Sequence, residues 1–317
     1  MKKLLRTRII PPWTRLTFVA IVSLTAVHMM DMPAIAKQQG GVIVLPGASS
    51  AEGIAIGDGS TFYAGDLFRG DIFQGNLQKG DAELFIDAPA GRMALGLKMD
   101  QRTGLLFVAG GPTGQGYIYD TKTGATVRTY QFRDPTAGTL INDVAITGQG
   151  AWFTDSLQPK LYFVPIGPNG ALGDFTSLTL TGPAAALTGA FNLNGIAATP
   201  NGDVLIVAHS ANGQLYTVDP KTGASAGIAG VSVPNVDGIL MEAGRLFAVQ
   251  NFSNQISVIR LSVDLKAGVV EKVISSGLFQ VPTTVARHGS QLAVVNGKFD
   301  TGFPPTASQY EVVIVSR

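Results

Sequence analysis

The stretch NLNGIAATPNGDVLIVAHSANGQLYTVDPKTG, residues Asn192–Gly223, contains one complete unit of a pattern that recurs along the chain. A polar residue, Asn194, leads into a short apolar segment, a turn at Asn201-Gly202 and the unbroken apolar run VLIVAH. A second turn at Asn212-Gly213 then leads into QLYTVD. Asn-Gly pairs between apolar segments are typical of tight hairpins. The stretch therefore predicts three successive antiparallel strands.

The same unit occurs six times along the chain. The copies begin at Glu52, Leu95, Asn142, Asn194, Asp237 and Thr283, so that successive starts are 43, 47, 52, 43 and 46 residues apart. This period is typical of a four-stranded propeller blade. We therefore predict an all-β fold, a six-bladed β-propeller with four-stranded blades around a central channel.

Two further features complete the predicted ring. The segments VRTYQF and FTSLTL are candidates for fourth, outer strands, and GGPTGQG, residues Gly110–Gly116, is interpreted as a hairpin loop. VIVLPG near the start of the propeller is expected to pair with YEVVIVSR at the C-terminus, since an open ring would leave unpaired strand edges.

Composition excludes several classes of protein. Charged residues make up 14% of the chain, hydrophobic residues 45%, and the formal net charge is +1. This balance favours a packed core and argues against disorder or a nucleic-acid partner. The chain has no cysteine, so disulfides and thiolate metal sites are excluded.

The N-terminal segment has the pattern of an export signal. Five basic residues precede the apolar run LTFVAIVSLTAVHMM, and Ala34-x-Ala36 offers a cleavage site. We predict a signal peptide over residues 1–36, a single propeller domain over residues 37–317, and a periplasmic or secreted location without a stable membrane span. A retained membrane anchor is the alternative, although the apolar run is short for a helix that must cross a bilayer.

The residues at the six unit starts should form a ring at one mouth of the channel. Four carry oxygen ligands: Glu52, Asn142, Asn194 and Asp237. Two carboxylates and two amides suit a hard divalent cation, and ligands spread over four blades favour Ca²⁺ over Mg²⁺ without deciding between them. The alternative is a solvated polar mouth, because Glu52, Asn194 and Asp237 precede glycine and such pairs often form turns.

The ends of the second strands should return to the same mouth, further from the axis. The residues there are Asp66, Asp155, His209, Asn251 and Asn296. Of these, Asp155 and His209 are the predicted second shell or substrate rim, and His209 also has the chemistry to move a proton near neutral pH. A structural role at a strand end is the competing interpretation for each.

The segments EGIAI, NDVAI, WFTDS, LNGIAATPNGDVLIVAHS and VDGILMEAGRLFAVQN resemble those of the SMP-30/gluconolactonase family of calcium-dependent six-bladed propellers. The resemblance covers nearly all of the chain after residue 40. It implies that Glu52, Asn142, Asn194 and Asp237 bind a catalytic divalent metal, with Asp237 as base or nucleophile. The sugar lactonases of that family place an arginine shortly before the third-blade asparagine, whereas this chain has Leu140 and Ile141.

The resemblance implies an exported, metal-dependent hydrolase of the lactonase or esterase type, with a small lactone or ester as substrate and one divalent cation, Ca²⁺, as cofactor. The alternative function is a non-catalytic propeller, similar to the NHL-repeat type, that binds a protein or polymer.

Overall fold

The computed structural model describes residues 41–317, together with the backbone of a short strand at Ile35–Lys37. Strands account for nearly all of the regular structure, in six sheets. In chain order, the first two strands are β1 (Ile35–Lys37) and β2 (Gly41–Leu45).

The first three blades follow in chain order, and the strands of each blade are numbered from the inner to the outer edge. Blade 1 holds β3 (Ile54–Ile56), β4 (Thr61–Gly65), β5 (Ile72–Asn76) and β6 (Asp81–Ile86); blade 2 holds β7 (Leu97–Asp100), β8 (Leu105–Ala109), β9 (Gln115–Asp120) and β10 (Thr126–Gln131); blade 3 holds β11 (Ile141–Ile146), β12 (Gly150–Asp155), β13 (Lys160–Pro165) and β14 (Thr176–Thr179).

The remaining blades complete the ring. Blade 4 holds β15 (Leu193–Ala198), β16 (Leu205–His209), β17 (Gln214–Val218) and β18 (Ser225–Gly227); blade 5 holds β19 (Val236–Glu242), β20 (Arg245–Gln250), β21 (Gln255–Leu261) and β22 (Gly268–Ser275); blade 6 holds β23 (Pro282–His288), β24 (Gln291–Asn296), β25 (Tyr310–Ser316) and β2. Five short 3₁₀ turns lie at Pro135–Ala137, Pro168–Gly170, Pro183–Ala185, Asn251–Ser253 and Phe299–Thr301.

The predicted six-bladed propeller is confirmed. Each inner strand contacts the inner strands of both neighbouring blades, so that the six of them surround the channel. The predicted outer strands of blades 2 and 3 are present as β10 and β14, and the predicted hairpin loop joins β8 to β9.

The ring closes between the two ends of the described chain. Strand β2 pairs antiparallel with β25, from Gly41 opposite Ile314 to Leu45 opposite Tyr310. This is the predicted closure, and it gives β25 a hydrogen-bonded partner at the edge that would otherwise be exposed.

The hydrophobic core is divided among the six junctions between blades. The second strand of each blade contributes apolar side chains to the clusters on both of its faces, because alternate side chains of a strand point in opposite directions. In β16, Leu205 and Val207 pack in the cluster shared with blade 3, whereas Ile206 and Ala208 pack in the cluster shared with blade 5. All four side chains are fully buried, which explains the unbroken apolar run of this strand.

The inner strands are irregular where the channel begins. Their pairing with the second strands shifts between Ile141 and Val144, Leu193 and Ile196, Val236 and Ile239, and Pro282 and Val285. Bulges of this kind bend a strand and redirect the side chains within it. Asn142, Asn194 and Asp237 lie inside these bulges.

The predicted signal segment, residues 1–36, lies outside the described residues except for the backbone of β1. Residues Ile35–Lys37 run parallel to β22, with Ile35 opposite Val273 and Lys37 opposite Ser275. Within the described residues, no helix has the length and apolar character that crossing a membrane requires.

Candidate active site

The four predicted ligand residues line one cavity. Glu52, Asn142, Asn194 and Asp237 come from four different blades and are each more than 90% buried. The cavity has a volume of about 500 Å³, within the range of about 300–1,000 Å³ typical of small-molecule sites.

The other two unit starts contribute differently. Leu95 adds an apolar wall to the cavity. Thr283 is fully buried, and its hydroxyl donates to the backbone carbonyl of Glu52 at 2.6 Å. That bond links blade 6 to blade 1 and leaves Thr283 outside the cavity lining.

The glycines that follow the ligand residues are not turn residues. A Cβ atom on Gly195 would lie 2.5 Å from the carbonyl oxygen of Asp237, and one on Gly238 would lie 2.8 Å from the Thr284 side chain. A Cβ atom on Gly53 would lie 2.2 Å from the carbonyl oxygen of Leu95. These glycines permit neighbouring inner strands to approach closely, which the interpretation of Asp-Gly and Asn-Gly as turns does not explain.

A serine fixes the orientation of the Asn142 amide. The Ser156 hydroxyl donates to the carbonyl oxygen of Leu193 at 2.5 Å, so its single proton is already used. Its oxygen therefore accepts from Nδ2 of Asn142, at 2.9 Å. The amide nitrogen is thus held by the serine, and the carbonyl oxygen Oδ1 is left for the cavity.

The next blade repeats this arrangement. Ser210 donates to the carbonyl oxygen of Val236 at 2.6 Å and accepts from Nδ2 of Asn194 at 3.0 Å. The serines also join adjacent blades, because Leu193 precedes Asn194 and Val236 precedes Asp237. Each amide is therefore oriented by a serine whose hydroxyl also binds the residue directly before the next ligand.

Two buried oxygens at the site have no hydrogen-bond partner among the described residues: Oε2 of Glu52 and Oδ1 of Asn142. Leaving a buried polar atom unpaired costs about 1–3 kcal/mol, and a hard cation bound between these oxygens would remove that cost. Within residues 41–317, no three His, Cys, Asp or Glu side chains are grouped to hold a metal by themselves. A cation here would therefore depend on the asparagine carbonyls as well as the two carboxylates.

The two carboxyl groups titrate unusually. Burial raises the pKa of Asp237 to about 7, although hydrogen bonds from Asn251 and Asn194 lower it. The Asn251 bond runs from Nδ2 to Oδ2 of Asp237 at 3.1 Å. Burial and then the charges of Asp237 and Asp143 raise the pKa of Glu52 well above its usual value. Burial without a counter-ion thus favours the protonated form of both groups relative to the same groups in water.

A third carboxylate lies beside the ring. Asp143 is buried and accepts hydrogen bonds from the backbone amides of Val144 at 2.8 Å and Ile196 at 3.1 Å. It lines a narrow cavity among the inner strands together with Lys98. Burial raises the pKa of Asp143, and the nearby Lys98 charge opposes that increase. Neither residue was predicted from the repeat, although Asp143 follows Asn142 at a position where the other five units have glycine or threonine.

The predicted rim residues Asp155 and His209 are fully buried and are not among the residues that line the cavity. Asp155 accepts from the Thr139 hydroxyl at 2.6 Å and the Leu140 amide at 3.0 Å. Nε2 of His209 lies 2.7 Å from the carbonyl oxygen of Ala186. Each therefore binds the loop that enters its own blade.

The equivalent residues of three other blades do the same, and in blade 5 this residue is Gln250 instead of the predicted Asn251. Asp66 binds Ser49 and Ser50, Gln250 binds Pro234, and Asn296 binds Leu278 and Gln280. The residues that reach the cavity network lie one position further along: Ser156, Ser210 and Asn251. The signal in the sequence is the repeated polar residue directly after the end of the second strand.

No protein-family model matches the chain, and no curated protein matches it. Solved structures with similar folds include a calcium-binding protein, regucalcin, from Agrobacterium tumefaciens, at 15% identity and TM-score 0.61 over 90% of this chain and 98% of that one. Virginiamycin B lyase from Staphylococcus aureus, in an inactive form with quinupristin, is 12% identical at TM-score 0.59 over 87% and 99%. A Lactobacillus plantarum protein is 18% identical at TM-score 0.57 over 78% and 77%. At these identities the similarity establishes the propeller fold alone.

Proposed function

We propose that this protein is an exported hydrolase of lactones or carboxylic esters that uses one divalent cation, Ca²⁺, held by Glu52, Asn142, Asn194 and Asp237. The observation that carries the proposal is the pair of unpartnered buried oxygens on Glu52 and Asn142 at the wall of an open cavity. The similarity in fold to a calcium-binding regucalcin supports it, as does the family resemblance of the ring residues. Ligands from four separate blades suit the larger and more tolerant Ca²⁺ ion better than Mg²⁺.

A bound cation would supply Lewis-acid polarisation of the substrate carbonyl. The chain supplies the proton transfer. Asp237, which lines the cavity, can in its ionised form accept a proton from an attacking water. The water oxygen bonds to the carbonyl carbon, the bond from that carbon to the leaving oxygen breaks, and Asp237 returns the proton to that oxygen. In the second route open to this residue, the Asp237 carboxylate attacks the carbonyl carbon, and the bond to the leaving oxygen breaks as that oxygen takes a proton from water. Hydroxide or water then hydrolyses the resulting anhydride, which releases the acid and restores the carboxylate.

Other residues orient the base. Asn251 donates from Nδ2 to Asp237, and its own Oδ1 accepts from the Phe252 amide at 2.6 Å. The second bond fixes which end of the Asn251 amide faces the carboxylate. Oδ2 of Asp237 is therefore held in place by Asn251.

The test is thermal unfolding of residues 37–317 with calcium and with chelator, together with turnover on a panel of lactones and esters. At a calcium concentration of about 100 times Kd, binding to the folded state alone adds about 2.7 kcal/mol. We expect this increase in the wild type and its loss in Asp237→Ala. Asp237→Asn should keep the fold and lower turnover by about 10²–10⁴-fold.

Asp58→Asn is the matched control, because Asp58 is an exposed carboxylate in a hairpin turn of blade 1. It should leave both the calcium effect and turnover unchanged. The proposal would be contradicted if calcium did not change the unfolding temperature of the wild type and no lactone or ester were hydrolysed. A propeller that binds a protein or polymer would then be the better account.

A further inference from the structure

The walls of the candidate active site differ in character from its ring of ligands. Apart from the four ring residues, the polar residues of the lining are Ser210, Asn235 and Asn251. The rest of the lining is apolar, and among residues 41–317 no lysine or arginine contributes to it. A ligand in this cavity therefore meets oxygen ligands at one end and hydrocarbon over most of its remaining surface.

The polar side chains outside the ring already use part of their hydrogen-bonding capacity within the protein. The Ser210 proton goes to the Val236 carbonyl, and Asn251 bonds Asp237 and the Phe252 amide. Nδ2 of Asn235 donates to Ser253 at 3.2 Å. A polyhydroxylated ligand would bury hydroxyls without partners, at a cost of about 1–3 kcal/mol for each one.

Aromatic side chains surround the cavity. Phe191, Phe252 and Phe303 are 45%, 59% and 68% exposed, and they come from the loops of three blades. All the phenylalanines among the large exposed hydrophobic residues of the described chain are in this lining. Exposed apolar side chains that are gathered at one site mark a binding surface, whereas isolated ones do not.

One part of this aromatic surface is already assembled. Phe303 packs edge to face against Phe68 at 5.4 Å and against Phe299 at 5.7 Å between ring centroids. Phe68 follows β4 of blade 1, whereas Phe299 and Phe303 lie between β24 and β25 of blade 6. Two blades thus share one aromatic wall, which contacts between the rings hold in place.

We infer that the substrate is a neutral lactone or ester with an alkyl chain or aromatic ring, whose carbonyl reaches the ligand ring while its hydrocarbon part contacts the phenylalanines. The inference rests on the proposed function for the site, and it adds the substrate class. A cavity of about 500 Å³ accommodates a ligand of this kind. The described residues of the lining include no cationic side chain, which disfavours an anionic ligand.

The test compares three δ-lactones in the presence of calcium: δ-valerolactone, δ-decalactone and glucono-δ-lactone. Each CH₂ group that becomes buried should raise kcat/KM about threefold to fourfold. We therefore expect δ-decalactone to exceed δ-valerolactone by at least about a hundredfold and glucono-δ-lactone to be the poorest substrate. Calorimetric binding of the corresponding lactams, which resist hydrolysis, should show the same preference for the pentyl chain.

The matched variants are Phe252→Ala at the cavity and Leu84→Ala on outer strand β6, where Leu84 is 45% exposed. Phe252→Ala should weaken pentyl-lactam binding about tenfold without lowering the unfolding temperature, and Leu84→Ala should change neither. Equal affinities for the two lactams, or a preference for gluconolactone, would overturn the substrate class whatever the turnover. Chain-length-dependent lactam binding without hydrolysis would overturn the proposed reaction and support the apolar ligand.

Discussion

The orientation of Asn142 depends on a single hydroxyl group. The Ser156 proton is donated to the Leu193 carbonyl, so the serine oxygen can only accept from the Asn142 amide nitrogen. Ser156 is not one of the proposed ligands, but it determines that Oδ1 of Asn142 is the atom available to a cation. Removal of a residue that orients a metal ligand commonly lowers metal affinity by about 10–100-fold.

Ser156→Ala tests this orientation. Without the acceptor, the Asn142 amide loses the bond that distinguishes its two ends, so we expect calcium affinity to fall about 10–100-fold, as measured by titration calorimetry. Asn194 should keep its hydrogen bond to Ser210, so calcium binding should weaken without disappearing. Ser290→Ala, on an exposed turn of blade 6, is the control and should bind calcium as the wild type does. An unchanged affinity in Ser156→Ala would show that the serine does not orient a ligand.

At the scale of elements, the bulges of the inner strands determine the geometry of the site. A regular strand would send successive side chains to opposite faces. The extra residue in each bulge breaks this alternation where Asn194 and Asp237 project to the cavity. Gly195 and Gly238 then permit the bulged strands to lie side by side. The site thus depends on strand contacts as well as on the ligand side chains.

Gly195→Ala is predicted to disrupt this contact. The added Cβ would lie 2.5 Å from the Asp237 carbonyl oxygen and 2.7 Å from the Ile239 amide nitrogen, both of them backbone atoms. We expect a loss of about 1–3 kcal/mol in the free energy of unfolding and weaker calcium binding, because blades 4 and 5 must separate. Denaturant unfolding and calorimetry measure the two effects.

Gly277→Ala is the matched control, since a Cβ there has no neighbour within 4 Å and the backbone needs no positive φ. Its stability should equal or slightly exceed that of the wild type. If both alanine variants matched the wild type in stability and calcium affinity, the close approach of the inner strands would not be needed for the site.

For the whole molecule, the buried carboxyl groups couple stability to pH. An ordinary aspartic acid has a pKa of about 3.9, whereas burial raises the pKa of Asp237 to about 7. The folded protein therefore holds this proton more tightly than the unfolded chain does. The resulting stability is complete below about pH 4 and is lost as pH rises through about 7.

We predict that the calcium-free protein unfolds at a lower temperature at pH 8 than at pH 5.5. Calcium should oppose this trend, because cation binding requires the ionised carboxylates and so strengthens over the same pH range. Differential scanning calorimetry with chelator and with excess calcium measures both effects. Asp237→Asn cannot titrate at this position and should show a smaller pH dependence without calcium. A calcium-free wild type that is more stable at pH 8 would contradict the prediction.

The fold was predictable because its signals are local and repeated. Hairpin turns, apolar runs and a period of 43–52 residues are properties of contiguous segments, and six copies reinforce one another. The closure of β2 on β25 was predictable for a related reason, because an unpaired strand edge is unfavourable. The ring residues Glu52, Asn142, Asn194 and Asp237 were identified by their equivalent places in the repeat, and the cavity contains all four.

Other features were decided by tertiary contacts. Asp155 and His209 were predicted as a second shell or substrate rim. The direction of a side chain at the end of a strand depends on its neighbours, and both side chains bind incoming loops. The buried Asp143 and the partly buried Lys98 come from different blades, so their proximity has no local signal.

The sequence by itself thus determined the repeated blade and the equivalent positions within it, since these depend on turn chemistry and hydrophobic alternation along short segments. The tertiary structure alone decided which oxygens are left unpaired and which phenylalanines share a wall. Those properties depend on how strands and loops from different blades approach one another. These segments are far apart along the chain, so a local sequence pattern contains no signal for their contact.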